Sequence, residues 1–562
     1  MRARRNTELR RAPLTLLLVP CLAAMACPRR APMPAGPPAV TLAFTSHVRG
    51  WVEPCGCTAD PLGGIHRIHA ELARMRAAGP VLFFDTGSLL FDRMEIPAAA
   101  QCQEEARVRL LVRAAGASGL ALTGLGPFDL SRGEAFRAQT LGGAGLPVVT
   151  ANVEGAGGVV ARTVKEAGGV RVGFTGATWP ADAGAPAGDN TVTWHGLTLR
   201  NPESAVRAQV AALRADGAHV VVVLSQMPRA RSVALLGAVE GIDVLVQGHE
   251  PGEEPTTPLE VVPGSWLVSA GQQGQYLARL HVTLPAPGGA RLAFDDGGRA
   301  ARAQAEHAVK RAQLLEDQAA DFAARGDTAN ADARRHKAQQ LRAAAATPAS
   351  ATQSNVTVRN TFRFDALPLT RQVAGDPTVE KELLAYKASL RALNLECEKN
   401  ITCPPPPPGA QAYVGTLVCA ECHQEAYEQW KGAVVNDGAR AGALGHARAW
   451  KTLQDKDATG NRDCVGCHSV GFELPGGTCK VSEAPKWGNV GCETCHGPGS
   501  RHAETEEKAD IRLSPGEEGC RECHRVPHIP TTESFVYADR LRHVLGPGHG
   551  AAALQNLSPG AK

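Results

Sequence analysis

The chain has 562 residues, of which 43% are hydrophobic and 20% charged, so it can bury sizeable cores and is not a disordered chain. Its 59 Lys and Arg nearly balance its 56 Asp and Glu, which excludes the global positive field expected of a nucleic-acid-binding protein. Sixteen cysteines are present, and eight of them fall in four copies of one short motif near the C-terminus.

The first 27 residues have the pattern of an export signal, with five Arg before an apolar run from Leu14 to Met25. Cys27 follows Ala-Met-Ala. That sequence fits lipoprotein-type processing with lipidation of Cys27, which we favour, and also fits ordinary A-x-A cleavage. No later apolar stretch reaches the roughly 18 residues needed to span a bilayer. We therefore expect an exported protein, periplasmic or on the cell surface, attached to a membrane through a lipid at this end.

Residues 28–39 are interpreted as a tether because they are rich in Pro and Arg. From residue 40 to about 298, short apolar runs alternate with helical stretches, which predicts an α/β domain with a sheet covered on both faces. The predicted strands are Val40–Phe44, Val81–Phe84, Val148–Thr150, Val170–Phe174, His219–Leu224 and Asp243–Val246, and the predicted helices include Ile68–Ala78 and Pro202–Asp216.

Residues 299–350 consist largely of helix formers interrupted by Gly326-Asp327, which predicts a solvated helical hairpin. Residues 351–411 are interpreted as a linker that contains a short strand, a helix and five consecutive prolines from Pro404. Cys397 and Cys403 flank a short loop in this linker, and we expect them to bond to each other in an oxidising compartment. Residues 412–545 then form a separate domain, and residues 546–562 a tail.

This C-terminal domain contains four C-x-x-C-H motifs, the attachment signal of c-type haem. The two thiols of each motif add to the haem vinyl groups, and the histidine becomes the proximal iron ligand. A zinc ribbon would use the cysteine pairs but would not need a histidine at the fifth position of every copy. The predicted cofactors are therefore four covalent haem c groups, which also supply the apolar core that so short a domain lacks. The thiols are Cys419, Cys422, Cys464, Cys467, Cys492, Cys495, Cys520 and Cys523, and the histidines are His423, His468, His496 and His524.

Residues 412 to about 545 resemble the tetrahaem cytochrome c-554 family. The resemblance depends on Trp430, on the segment from His446 to Leu453, on Cys467-His468-Ser-Val-Gly471, and above all on Gly491-Cys-Glu-Thr-Cys-His-Gly-Pro-Gly-Ser-Arg-His502. It implies that His446 and His502 are distal iron ligands. Further candidates are His528, His543 and His549, which would be enough to complete the set.

Residues 40–298 resemble the catalytic domain of bacterial 5'-nucleotidases, which are calcineurin-like metallophosphoesterases. The resemblance implies a four-layer α/β sandwich, followed here by the hairpin and by a mainly α, haem-packed cytochrome domain. The family's chemistry needs two metal ions held by Asp, His and Asn. The matching segments are Thr45–Gly50, Gly63-Gly64, Asp85–Ser88, Gly124–Asp129, Asn152-Val153, Val172–Gly176, Leu224–Gln226 and Gly248–Pro251.

Most of the implied metal ligands are replaced in this chain. His47 and Arg49 stand at the positions of the first acid and histidine, Ser88 at the bridging acid, and Gln226 at a metal histidine. Leu125-Gly126 replaces the Asn-His pair, and Pro251 replaces the last histidine. His249 remains at a ligand position, with Asp85 as a neighbour of the site. We therefore expect no dinuclear metal centre and no phosphoesterase activity.

Cys55 and Cys57 flank one glycine in the loop after the first strand, at the edge where the phosphoesterase site would lie. Three interpretations remain open: a structural disulfide with Cys102, a redox-active pair, and a thiolate metal clip. The leading hypothesis for the whole chain is an exported tetrahaem electron carrier that exchanges electrons with unidentified redox partner proteins. The alternatives are an active nucleotidase fused to a haem module, and a multihaem reductase of a small substrate.

Overall fold

The structure is a computed structural model, and it describes residues 36–54, 61–180, 190–249, 252, 254–285, 291–297, 299–324, 328–346, 360–432, 435–436, 439–440, 443–524, 536–545 and 549. Cys27, Cys55, Cys57, Pro251 and His528 lie outside these residues, so the predictions made for them stay predictions. The backbone of His543 is described, but its side chain is not.

The N-terminal region folds as an α/β unit whose strands arise from the apolar runs of the sequence. The strands are β1 Ala39–Thr45, β2 Val81–Asp85, β3 Leu120–Gly124, β4 Val148–Val149, β5 Val153–Glu154, β6 Val159–Val160, β7 Arg162–Ala167, β8 Val170–Thr178, β9 Val192–Trp194, β10 Leu197–Leu199, β11 Val220–Gln226, β12 Val244–Gln247, β13 Leu259–Val262, β14 Ser265–Val268, β15 Tyr276–Thr283, β16 Ala293–Phe294 and β17 Thr361–Pro368.

The helices of this region connect and flank these strands. They are α1 Ile65–Ala78, α2 Gln101–Ala117, α3 Gly133–Gly143, α4 Pro202–Ala215, α5 Arg229–Ala238, α6 Arg299–Ala324, α7 Thr328–Ala346 and α8 Pro377–Cys397. Helices α4 and α8 begin where the sequence places a capping residue before a proline: the Asn201 and Asp376 side chains each accept from two backbone N–H groups.

Two sheets pack face to face in this unit. One has eight strands in the order β16-β17-β15-β1-β2-β3-β4-β6, and the other has six in the order β13-β14-β12-β11-β8-β7. A stack of aromatic rings fills the space between the sheets, with Phe84 lying 5.4 Å from Phe44 and 5.1 Å from Phe174 between ring centroids. The outer face of the larger sheet packs on α1, α2 and α8, and that of the smaller sheet packs on α4 and α5.

The N-terminal unit extends beyond the boundary predicted at residue 298. Strand β17 pairs with β15 over eight residues and with β16, so it completes the larger sheet instead of belonging to a linker. Helix α8 packs on α1 and α2. Helices α6 and α7 pack on each other through fully buried alanines, including Ala312 and Ala331. In sequence these two helices lie between β16 and β17, which are neighbouring strands of the larger sheet.

The expected bond between Cys397 and Cys403 is wrong, and so is the alternative in which Cys102 pairs with Cys55 or Cys57. Cys102 bonds to Cys397 across 295 residues, and Cys403 bonds to Cys479 across 76 residues. Because α8 packs along α2, its last residue reaches Cys102, with a Cα–Cα distance of 6.4 Å. Cys397 is therefore not bonded to Cys403, and Cys102 is not bonded to Cys55 or Cys57.

The C-terminal region is mainly helical. Its elements are α9 Thr416–Cys422, α10 Gln424–Lys431, β18 Val435–Asn436, β19 Ala439–Arg440, α11 Ala443–Ala447, α12 Ala449–Asp455, α13 Arg462–His468, α14 Cys492–His496, α15 Ser500–Thr505, α16 Gly516–Arg521 and α17 Tyr537–Val544. Its apolar core is small and centres on Trp450, Val465 and Phe472. Within the described residues, no helix is long and apolar enough to cross a membrane.

Candidate functional site

The four C-x-x-C-H motifs lie on short helices or at their ends, in α9, α13, α14 and α16. Residues three apart share one face of a helix, so the two cysteines of a motif face the same way. None of the eight motif cysteines belongs to either of the two disulfides, and none of them is buried. The geometry leaves each thiol pair available to form two thioether bonds to one haem, with the histidine next to it in sequence.

Three of the predicted iron ligands are oriented by backbone carbonyls. His468 Nδ1 lies 2.6 Å from Ala449 O, His496 Nδ1 lies 2.8 Å from Arg512 O, and His502 Nδ1 lies 2.9 Å from Glu507 O. A carbonyl oxygen can only accept, so in each case Nδ1 carries the proton. In this tautomer Nε2 carries the lone pair with which a histidine binds a metal, as is typical of histidines whose other ring nitrogen is held by a hydrogen bond.

Two pairs of histidine rings are spaced as axial ligands of one iron would be. The centroids of His423 and His502 lie 6.0 Å apart with nearly parallel planes, and those of His446 and His524 lie 6.3 Å apart. A metal–nitrogen bond of about 2 Å plus the radius of an imidazole ring on each side gives a separation of about 6 Å. Burial, together with the nearby His524, lowers the pKa of His446, which favours the neutral, ligating form.

The first and third motifs touch each other. The thiols of Cys419 and Cys492 form a hydrogen bond. Glu493, inside the third motif and 2% exposed, accepts from the backbone N–H groups of Val414 and Gly415 at 2.9 and 2.7 Å. Sequence reasoning missed Glu493 because it occupies a variable position of the motif. Its carboxylate fixes the chain that leads into the first motif.

Two of the remaining distal candidates, His528 and the side chain of His543, lie outside the described residues. Among the described residues of this region, the ring pairs with this spacing involve His423, His446, His502 and His524. No group of three or more His, Cys, Asp or Glu side chains in the described part of the chain has the arrangement of a metal cluster.

Gln226, at one of the ligand positions implied by the family resemblance, is held by hydrogen bonds to its neighbours. Its Oε1 accepts from Ser88 Oγ at 2.8 Å and its Nε2 donates to Thr86 O at 2.9 Å. A Cβ added at Gly126 would lie 2.7 Å from Gln226 Oε1, and one added at Gly248 would lie 2.1 Å from Gln226 Nε2. Residues that would be ligands in the family thus hydrogen-bond and pack against one another.

His47 lies beside His249, with ring centroids 6.4 Å apart, and its backbone φ is 51°, a conformation that costs free energy for a side-chain-bearing residue. Burial, followed by the nearby Arg49 and His249, lowers the pKa of His47 to about 3. His47 is therefore neutral at physiological pH and does not reproduce the negative charge of the acid it replaces.

Asp85 and Asp129 have structural partners. Asp85 accepts from Thr45 Oγ1 at 2.7 Å and from Gly87 N at 2.8 Å, and burial raises its pKa to about 7. Asp129 accepts from four backbone N–H groups of the neighbouring loops, and burial raises its pKa as well. Both carboxyl groups hold the loops after β2 and β3, which is a sufficient reason for their presence without a metal.

The cytochrome motif on α13 is docked directly on the N-terminal unit, and both belong to one compact unit that begins at Pro38. Gln103 of α2 donates to Asn461 Oδ1 at 2.9 Å, and its Oε1 accepts from Arg462 N at 3.0 Å and from Asn394 Nδ2 at 2.7 Å. Asn461 is also the N-cap of α13. The N-terminal unit therefore makes hydrogen bonds to the first turn of the helix that carries Cys464 and His468.

The comparisons with known proteins agree with the motif geometry. The family described as cytochrome c554 and c-prime matches residues 418–497. The chain contains a cytochrome c554 domain in its C-terminal region. The sequence is 36% identical over 102 residues to cytochrome c-554 of Nitrosomonas europaea, a match that covers 16% of this chain and 39% of that protein. This confirms the C-terminal resemblance predicted from the sequence and implies c-type haem as cofactor.

Solved phosphoesterases are similar in structure to the region before the cytochrome c554 domain. A 5'-nucleotidase precursor from Thermus thermophilus has a TM-score of 0.43 at 19% identity, with 79% of this chain and 73% of that chain covered. A calcineurin-like phosphoesterase from Bacillus subtilis has a TM-score of 0.36 at 17% identity, with coverages of 45% and 87%. These matches describe similarity of fold.

Proposed function

We propose that the protein is an exported electron carrier whose cytochrome c554 domain holds four haem c groups covalently. The observation that carries the proposal is the coincidence of four C-x-x-C-H motifs, whose cysteines lie outside the disulfides, with histidines whose Nδ1 atoms are held by backbone carbonyls. Haem supplies one-electron redox chemistry when bound. The chain would attach the haems and orient their ligands.

Two axial pairs follow from the ring spacing. We assign His502 as the distal partner of His423, and His446 as the distal partner of His524. Each pair joins histidines that are distant in sequence, so iron binding would cross-link the short helices of the domain. For His468 and His496 the proposed distal ligands are among His528, His543 and His549.

Denaturing mass spectrometry of the mature protein tests the number of haems. Four covalent haem additions are expected, one for each motif. A mature chain with fewer additions, although expressed in a host competent for haem attachment, would contradict the proposal.

The N-terminal unit is proposed to act as a scaffold that positions the second motif, without hydrolysing phosphate esters. The close packing of Gln226 against Gly126 and Gly248 supports this role, because this side chain already has protein partners. The hydrogen bonds of Gln103 to Asn461 and Arg462 support the positioning role.

We also propose that Cys55 and Cys57 cycle between a dithiol and a disulfide. Oxidation of the pair would release two electrons and two protons, with the electrons passing singly to two haems and the protons to solvent. Glu53 lies two residues before Cys55. Its side chain accepts from Lys387 Nζ at 3.1 Å and interacts electrostatically with Asp463, which is next to the second motif. The bond between Cys102 and Cys397 leaves the pair without its expected structural partner.

Thiol labelling of the holoprotein at controlled potentials tests this exchange. Labelling of Cys55 and Cys57 is expected to change over the range in which the haems titrate. Labelling that stays constant over that range, with the haems titrating normally, would contradict the redox role and leave the carrier function intact.

Export, a lipid at Cys27 and redox partner proteins complete the proposal. The two disulfides support export, since such bonds persist in oxidising compartments. Fractionation of cells before and after Cys27→Ser tests the anchor, because loss of lipidation should release the protein from membranes.

A further inference from the structure

A buried cluster of charged side chains lies where the N-terminal unit meets α13. Arg107 of α2 contacts Glu104 of the same helix, Asp463 of α13 at 2.7 Å, and Asp92 of the loop after β2 at 3.9 Å. The Arg107 side chain is 5% exposed and that of Glu104 is 2% exposed. One buried guanidinium is thus shared by three carboxyl groups.

The surrounding residues do not neutralise this excess of acid. Arg93 contacts Asp92 and also Glu473 at 2.9 Å, and Arg462 contacts Glu473 at 2.6 Å and Glu398 at 4.0 Å. The connected network therefore contains five carboxyl groups and three guanidinium groups. Buried net charge is costly, so the network is expected to retain a proton.

Glu104 is the group best placed to hold that proton. Glu398, which is equally buried, already accepts from the N–H groups of Val481 and Ser482 at 2.8 and 2.9 Å. Burial raises the pKa of Glu104, and the nearby Asp463 and Asp92 add to the rise against the effect of Arg107. Burial would lower the pKa of Arg107, but Asp463, Glu104 and Asp92 raise it overall, so the guanidinium stays charged.

The cluster is connected to the second haem motif through few bonds. Asp463, which binds Arg107, is joined by a peptide bond to Cys464, a proposed attachment point of that haem. Tyr386 of α8 interacts electrostatically with Arg107, Asp463 and Glu104. It interacts with Glu53 as well. Asp92 and Asp463 are 26% and 30% exposed, so they connect Glu104 to solvent.

We propose that Glu104 takes up a proton when the haem attached at Cys464 and Cys467 is reduced, and releases it on reoxidation. The inference rests on the proposed haem attachment. One electron from a redox partner or chemical reductant enters the ferric haem, one proton from solvent binds Glu104, and the net charge of the region is unchanged. The N-terminal unit would thereby make the second haem sensitive to pH.

The coupling is reciprocal, because a proton that stabilises the reduced haem makes reduction easier. An added unit charge at about 10 Å, with an effective dielectric constant of about 20, shifts a pKa by on the order of one unit. The midpoint potential of this haem should fall as pH rises between the pKa of Glu104 in the oxidised protein and its higher value in the reduced protein.

Spectroelectrochemical titration of the holoprotein from pH 5 to pH 9 tests the proposal, with wild type compared to Glu104→Gln. One haem transition in the wild type is expected to shift with pH, and that shift should disappear in Glu104→Gln. The matched control is Glu382→Gln, an exposed carboxyl group of α8, which should leave the shift in place. A wild-type shift that persists unchanged in Glu104→Gln would overturn the proposal.

A second measurement does not depend on the variant folding. The reduced-minus-oxidised infrared difference spectrum of the wild type should gain a protonated carboxyl band near neutral pH. Absence of that band, together with pH-independent potentials, would also overturn the inference. Absence of haem from the protein would instead show that the proposed function itself is wrong.

Discussion

Replacing Gln103 with Ala should loosen the contact between the N-terminal unit and α13. The Gln103 side chain is buried at 1% exposure and makes three hydrogen bonds, to Asn461, Asn394 and the Arg462 backbone. Truncation removes all three bonds, each worth about 1 kcal/mol; Arg462 N loses its acceptor, while Asn394 Nδ2 keeps its bond to Gly460 O and Asn461 Oδ1 keeps its bond from Asp463 N. The expected loss is about 3 kcal/mol of local stability, or roughly a 100-fold increase in the local opening constant.

Native-state hydrogen exchange of the oxidised holoprotein measures this effect, since local opening is read from amide protection. Amides of residues 461–465 should exchange faster in Gln103→Ala, while those of β11 in the sheet core should not change. Gln372→Ala, an exposed glutamine in the same unit, is the matched control and should lie within about 0.5 kcal/mol of wild type. Equal protection of α13 in both variants would refute the idea that Gln103 holds the motif in place.

His502→Ala should leave four haems attached but open one axial site, detected as a new high-spin or carbon-monoxide-binding haem in absorption spectra; His281→Ala, outside the cytochrome domain, should not. Hydrolysis of nucleotides and simple phosphate esters should stay at background even with added Mn²⁺, and turnover abolished by His249→Ala would show that the site has been misread. His47 has a folded pKa of about 3, below its unfolded value, so the unfolded state binds the proton first and stability falls as pH drops below about 6.5. Urea unfolding at pH 7 and pH 5 should show a loss of up to about 2 kcal/mol from this group, and His47→Gln should lack that part of the loss.

The features predictable from the sequence are those encoded locally. The alternation of apolar strands and helices predicted an α/β N-terminal unit, as the structure shows. The motifs and the family resemblance predicted a helical cytochrome region after it, as the structure and the comparisons show. The C-x-x-C-H motifs could be read directly, because the spacing of two thiols and a histidine is itself the attachment chemistry. His446 and His502 came from family resemblance, and their ring partners could be assigned only in three dimensions.

The features that sequence reasoning missed depend on contacts between distant segments. Strand β17 reads as an isolated apolar run, and nothing within it shows that it pairs with β15 across the inserted hairpin. The pairing of Cys397 was assigned to its neighbour in sequence, whereas the packing of α8 on α2 selects Cys102. Gln103 and Arg107 look like ordinary residues of a polar helix, and their roles appear only when α13 is placed against them.

These long-range contacts give the N-terminal unit a role beside the cytochrome c554 domain, because they hold the helix that carries the second motif. The two disulfides join α2 to the end of α8, and Cys403, just before the prolines, to Cys479. The segment that connects the two regions is therefore cross-linked on both sides. The Gln103 and Arg107 contacts then orient the helix of a single motif, the second. A unit that served only as a spacer would not need buried charges aimed at one haem attachment site. The position of the charged cluster therefore favours a role in setting the properties of that haem.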